Sequence, residues 1–296
     1  MKRAHSLGGP VPPTAEQLVG AGVDIANLIS SVVGEPDRCG CLLVGSMADG
    51  NANEASDLDL LLLVPDGVEV TAPSERVRIE SGLLSEQLFY QNGIEINIDI
   101  AQRSRVAPVS RSMLTLAPAL YDPRSLKSIP LLAEVDLRFL LRLRNGIPLS
   151  GPALIETWRD EFLVDVLPTY LTIRHFVLID EFSEDARSHP PSTAGFVSRI
   201  AAEHVLFAAL SYLGRPPASR KWLLTEVARH LPDASPEMAE VLKDARASLL
   251  EETSSSSIIE QVDRARHNLR SILATNPELD VALTYLGGEI VYVAPD

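Results

Sequence analysis

The segment Ile94-Glu-Ile-Asn-Ile-Asp-Ile100 alternates apolar and polar residues without a break. Successive side chains of a strand point to opposite faces, so the isoleucines share one face and Glu95, Asn97 and Asp99 share the other. Asn92-Gly93 stands directly before it, preceded by Leu88-Phe-Tyr-Gln91. An Asn-Gly pair between alternating segments is a strong hairpin signal, because both residues accept positive φ. A hairpin over Glu86 to Ile100 is therefore expected. Its apolar face demands a core, and packing that face leaves three polar side chains on an open surface.

Two further apolar runs, Cys39–Val44 and Leu58–Val64, read as buried strands, and a helical stripe runs from Ala15 to about Val33. Residues 1–13, rich in Gly and Pro, read as a flexible leader. Strand signals fade after about residue 104. Helical periodicity then covers roughly 130–144, 152–182, 192–213, 219–231, 236–251 and 256–274, with breaks at Gly146–Gly151, His189–Pro191 and the serine run Ser254–Ser257, taken as a loop. A last apolar run, Val281 to Val293, reads as a hairpin returning to a sheet edge. The expected fold class is α/β (α+β): a small mixed β-sheet with flanking helices over 14–125, then an α-helical bundle domain over 126–296.

Composition narrows the function. The chain of 296 residues has 26 Lys plus Arg against 40 Asp plus Glu, a formal net charge of −14. Such a field opposes a polyanion, since nucleic-acid binding needs Lys and Arg to neutralise phosphates. Two cysteines make no disulfide framework, and Cys39 and Cys41 have no further Cys to complete a zinc set, so both are expected to be buried thiols. Neither a secretory leader nor a membrane-spanning apolar run is read from the sequence, and a cytoplasmic protein is expected.

The chemistry lies between the two apolar runs, in Gly45-Ser-Met-Ala-Asp-Gly-Asn-Ala-Asn-Glu-Ala-Ser-Asp57, continued by Leu58-Asp59. Gly45 and Ser46 end a strand where backbone N–H groups and a hydroxyl approach an anion, which suits a phosphate. No Gly-Lys-Ser/Thr follows, so this is not a Walker loop. Ser56-Asp57-Leu58-Asp59 opens the next strand and puts both aspartates on one face. Carboxylates that close repel unless a cation sits between them, and Mg²⁺ is commonly held by one or two carboxylates plus substrate phosphates. A sheet that places Glu95 and Asp99 beside them would assemble a three- or four-carboxylate metal site.

The string Gly45-Ser46, Gly50, Ser56-Asp57-Leu58-Asp59, followed by a carboxylate-bearing strand, resembles the nucleotidyltransferase superfamily of DNA polymerase β. The two-domain layout and Glu95-Ile-Asn-Ile-Asp99 resemble the antibiotic nucleotidyltransferases of the kanamycin type. The resemblance implies an NTP co-substrate, binding of two Mg²⁺ ions by Asp57, Asp59 and either Glu95 or Asp99, and transfer of an NMP group to a small-molecule hydroxyl acceptor. Gly45, Ser46 and Ser56 would serve the triphosphate, and Lys221 would reach a phosphate. It also implies a general base in the helical half, for which Glu161 is the choice, and allows a homodimer. Arg142 and Arg144 contact phosphates or form a solvated face; His175 and His204 are expected to be packed or solvated structural residues. Rival readings are a protein- or tRNA-directed nucleotidyltransferase of the toxin–antitoxin type, and a catalytically silent nucleotide-binding scaffold.

Overall fold

A computed structural model describes residues 23–52, 56–71, 78–81, 83–121, 132–251 and 253–286. The leader 1–13 and most of the run to Val293 lie outside these residues.

Helix α1 (Ile25–Val32) opens on Asp24, whose carboxylate accepts from the Asn27 amide. Strand β1 (Gly40–Val44) is buried throughout. A single helical turn, Gly45–Ala48, follows it, where a strand end and loop were expected. Strand β2 spans Leu58–Val64, β3 spans Arg78–Ser81, β4 spans Leu84–Gln91 and β5 spans Ile94–Gln102. The expected hairpin is β4–β5: Asn92 and Gly93 carry φ of 49° and 81°, and Gln91 pairs with Ile94 across the two-residue turn.

Helix α2 (Arg103–Tyr121) was not expected, since Pro108 and Pro118 read locally as helix breakers. Helix α3 (Glu134–Asn145) leads into β6 (Ile147–Ser150), and α4 covers Pro152–Glu161. The six strands form one mixed sheet in the order β3-β4-β5-β2-β1-β6, with β2 and β5 parallel and the other neighbours antiparallel. One face carries Cys41, Leu43, Leu58, Leu60, Leu62, Ile96, Ile98 and Ile100, packed under α1. Cys39 and Cys41 are buried free thiols, as expected; burial pushes their pKa up to about 11 and about 12.

The chain folds into two compact units that do not divide at one point. The sheet unit runs to Leu114 and resumes over Leu132–Asp165; the other takes Thr115–Leu131 and everything from Val166. The expected boundary at 125/126 lies outside the described residues. Residues 132–165 return to the sheet because β6 pairs with β1 and α3 and α4 pack on β1. Sequence reading took 146–151 for a break, because Gly146, Pro148 and Gly151 bracket a strand of four residues. Proline is tolerated there because β6 is an edge strand.

The helical unit holds α5 (Leu167–Ser188), α6 (Pro191–Tyr212), α7 (Leu223–His230), α8 (Pro236–Leu250), α9 (Ser255–Leu273) and α10 (Pro277–Leu286). Helices α5, α8 and α9 pack on α6, and α10 packs on α5. Helix α6 has the length and mean hydropathy of a membrane-crossing helix, yet more than half of its apolar window is buried inside the bundle. Two expectations change. The serine run is a helix start, with Ser254 Oγ accepting from the Ser257 amide at 3.3 Å. Val281 to Leu286 are helical rather than strand, in a helix entered through Pro277 with the Asn276 side chain accepting from the Glu278 amide at 3.0 Å.

Candidate functional site

The site-bearing face of the sheet lies opposite α1. In the parallel β2–β5 ladder Asp59 stands across from Asn97, and Leu61 across from Asp99. Asp57, just before β2, accepts a 2.7 Å hydrogen bond at Oδ2 from the Asn97 amide nitrogen. Both aspartates are half-buried. Burial raises the Asp59 pKa, and the Asp57 charge raises it further. Arg142 and the Asn97 hydrogen bond pull the other way.

Gly45 makes that arrangement possible. It holds φ at 69°, and a Cβ there would overlap the Asp59 carboxylate, only 2.9 Å from its Cγ. The backbone turn following β1 is thereby pressed against the acid that opens β2. The turn closes on itself: the Asp49 amide donates to the Gly45 carbonyl at 3.0 Å and the Asn51 amide to the Ser46 carbonyl at 2.7 Å. Among the described residues no side chain caps its N-terminal end.

The third acid does not join the pair. Register places Asn97, not a carboxylate, opposite Asp59, so Glu95 and Asp99 lie two residues to either side, about 7 Å along the strand. Glu95 accepts from the Tyr90 hydroxyl at 2.8 Å, and Asp99 is ion-paired with Arg142. Among the described residues no three acidic, His or Cys side chains form a ready metal set. The expected three- or four-carboxylate cluster is thus resolved into a pair, Asp57 and Asp59, with the other two acids engaged elsewhere. That pair fits a divalent cation on its donor chemistry: two hard oxygen donors, with Asp59 resisting ionisation because of burial first and the Asp57 charge second.

Sequence reasoning underplayed two groups. Arg142, from the last turn of α3, is largely withdrawn from solvent, its side chain 19% exposed. Burial lowers its pKa, opposed by the charges of Asp59, Glu86, Asp49 and Asp57. Glu86 was missed, although the two-residue turn fixes it opposite Asp99 in the hairpin. Counting back from Gln91 and forward from Ile94 gives that pairing from sequence alone.

Glu161 ends α4 and is tied to Arg103, with the Ser110 hydroxyl donating to its Oε1 at 3.4 Å. The same guanidinium lies over the rings of Trp158 and Phe162. This is a brace between α2 and α4, not an acid poised at Asp57 and Asp59. Lys221 belongs to the helical unit; it is exposed, with its ammonium 4.7 Å from the Trp222 ring centre. His175 and His204 are packed there as expected: their Nδ1 atoms are 3.0 Å apart and their rings stack with Phe207 and Phe182.

Residues 39–105 match the family model of the nucleotidyltransferase domain, and they contain Asp57, Asp59, Glu86, Glu95, Asp99 and the Gly45 turn, but not Glu161. The chain carries a nucleotidyltransferase domain of the polymerase β-like superfamily. A domain of this kind supports nucleotidyl transfer as a general activity and an NTP as substrate. A solved structure, a nucleotidyltransferase-like protein from Exiguobacterium sibiricum, is similar over 90% of this chain and 77% of its own, at 12% identity and a TM-score of 0.42. No curated protein matches the chain significantly.

Proposed function

We propose that the chain is a Mg²⁺-dependent nucleotidyltransferase that moves an NMP group from an NTP to a hydroxyl of a small molecule. The observation that carries this reading is the Asp57–Asp59 pair set against the Gly45 turn inside the matched domain. Asp57 and Asp59 would hold the cation, which supplies charge neutralisation on the phosphates. The amides of Gly45 and Ser46, with the Ser46 and Ser56 hydroxyls, would receive the β- and γ-phosphates. In the reaction the acceptor oxygen attacks the α-phosphorus, forming one P–O bond as the bond to pyrophosphate breaks. The hydroxyl proton passes to a carboxylate of the acidic face, and pyrophosphate leaves. Most of the acceleration would come from positioning and charge stabilisation.

The acceptor class rests on charge. A net charge of −14 favours a cationic small molecule of the aminoglycoside kind over a tRNA end. Pyrophosphate release with each of the four NTPs, against aminoglycosides, lincosamides and total tRNA, tests both halves. The expected result is Mg²⁺-dependent release with one cationic acceptor, abolished in Asp57→Ala/Asp59→Ala. Release driven by tRNA alone would transfer the assignment to a nucleic acid acceptor.

A further inference from the structure

We propose that Arg142 is a built-in cation of the acidic face, holding Asp99 in the position a second metal ion would take and leaving Asp57 and Asp59 as the divalent-ion site. This rests on the functional reading above and changes its expected stoichiometry from two resident ions to one. The face brings Asp57, Asp59, Glu86, Asp49 and Asp99 around one guanidinium. Asp99 is the acid it pairs with directly, and both side chains are largely buried. A guanidinium stays charged throughout the working pH range and offers its donors as a fixed planar fork. The Asp99 oxygen that pairs with Arg142 is engaged by that guanidinium, and separating a buried pair of this kind leaves an uncompensated charge.

Arg142 is also held in place from its backbone. The buried Arg159 side chain of α4 donates to the Leu143 carbonyl at 2.9 Å and to the Gly146 carbonyl at 2.6 Å. Those bonds clamp the end of α3, the turn that carries Arg142. The other candidate third acid is no freer to act: Glu95 sits under the Tyr90 hydroxyl at the far side of Asn97. On the ladder Asn97 stands opposite Asp59, and Asp99 lies two residues further along, with Glu86 as its hairpin partner and Arg142 as its ion-pair partner.

The test is Mn²⁺ binding to the full chain, followed by electron paramagnetic resonance of the free ion, with and without a non-hydrolysable NTP. Wild type should bind one Mn²⁺ without nucleotide, and Asp59→Asn should lose it. Asp99→Asn should leave that affinity within about twofold, because Asp99 is not a ligand. Arg142→Gln should gain a second ion or bind about tenfold more tightly, the scale of outer-shell effects on metal sites. That gain should vanish in Arg142→Gln/Asp99→Asn, while Arg142→Lys, which keeps the charge, should stay near wild type. If Arg142→Gln does not fold, Asp99→Asn alone still decides. Two ions in wild type, a tenfold loss in Asp99→Asn, or no gain in folded Arg142→Gln would overturn the proposal. So would Mn²⁺ binding only with nucleotide, while no binding under either condition would remove the nucleotidyl-transfer reading as well.

Discussion

The acidic face of the sheet unit treats charge unlike the rest of either unit, and the sheet unit elsewhere pairs Arg38 with Glu35, Arg103 with Glu161 and Arg159 with Glu156. In the helical unit acids and arginines are matched on helix surfaces: Arg187 with Asp263, Arg264 with Asp244, Arg270 with Asp280. Its packed histidines, His175 and His204, are held neutral, since burial lowers both and brings His204 to about 4. They share one hydrogen bond, so one ring must donate from Nδ1 and the other accept. In the sheet unit one guanidinium faces five carboxylates, and Asp59 is pushed away from ionisation. Charge arranged for stability is paired or removed; charge left in excess on a half-buried face needs a cation that the chain does not supply. The contrast separates a scaffold from a site.

The sharpest way to break that contrast is Asp57→Asn. Transfer should fall by about 10³-fold, the scale of losing charge stabilisation at a phosphoryl centre. The melting temperature should hold or rise, because Asp59 loses its repelling neighbour. A matching loss of stability would make Asp57 a structural residue. Gly45→Ala should come next. Strain at positive φ and overlap with the Asp59 carboxylate predict a loss of about 1–3 kcal/mol in denaturant unfolding, with activity falling alongside. A neutral outcome would mean that the turn does not press on Asp59.

The helical unit offers the converse test. Both imidazoles have folded pKa values below the ordinary 6.5, so the unfolded chain takes up more protons between that value and about 4. Their contribution is complete above about pH 6.5 and drains away as pH falls toward 4. Thermal melts at pH 7.5 and 5 should show a lower melting temperature at pH 5, and His204→Gln should flatten much of that slope. Equal slopes in both proteins would count against the neutral pair. The smallest effect belongs to Lys221→Ala: an exposed residue should change stability by less than about 0.5 kcal/mol. A raised KM for nucleotide in that variant would recover the role its family resemblance implies.

Much of this was legible in the sequence where the signal is local. Asn92-Gly93 and the alternation after it gave the hairpin, and Ser56-Asp57-Leu58-Asp59 gave the acid pair at the head of β2. What escaped depends on partners far along the chain. The four-residue strand β6 exists because β1 offers it an edge, and α2 persists through Pro108 and Pro118 against its local breakers. The surroundings of the third acid escaped for the same reason: alternation puts Glu95 and Asp99 on the right face, but only the register of β5 against β2 shows that Asn97 takes the place opposite Asp59. Arg142 became a largely buried counter-charge only once α3 had packed on the sheet.

The central claim, that Asp57 and Asp59 exist to bring a divalent cation to a nucleotide, is most directly tested by thermal shift with a non-hydrolysable NTP. At a ligand concentration of about 100 times Kd, binding is worth about 2.7 kcal/mol. The account predicts a rise of several degrees only when Mg²⁺ and nucleotide are present together, and none in Asp57→Asn/Asp59→Asn. A rise of the same size without Mg²⁺, or in that double variant, would contradict it.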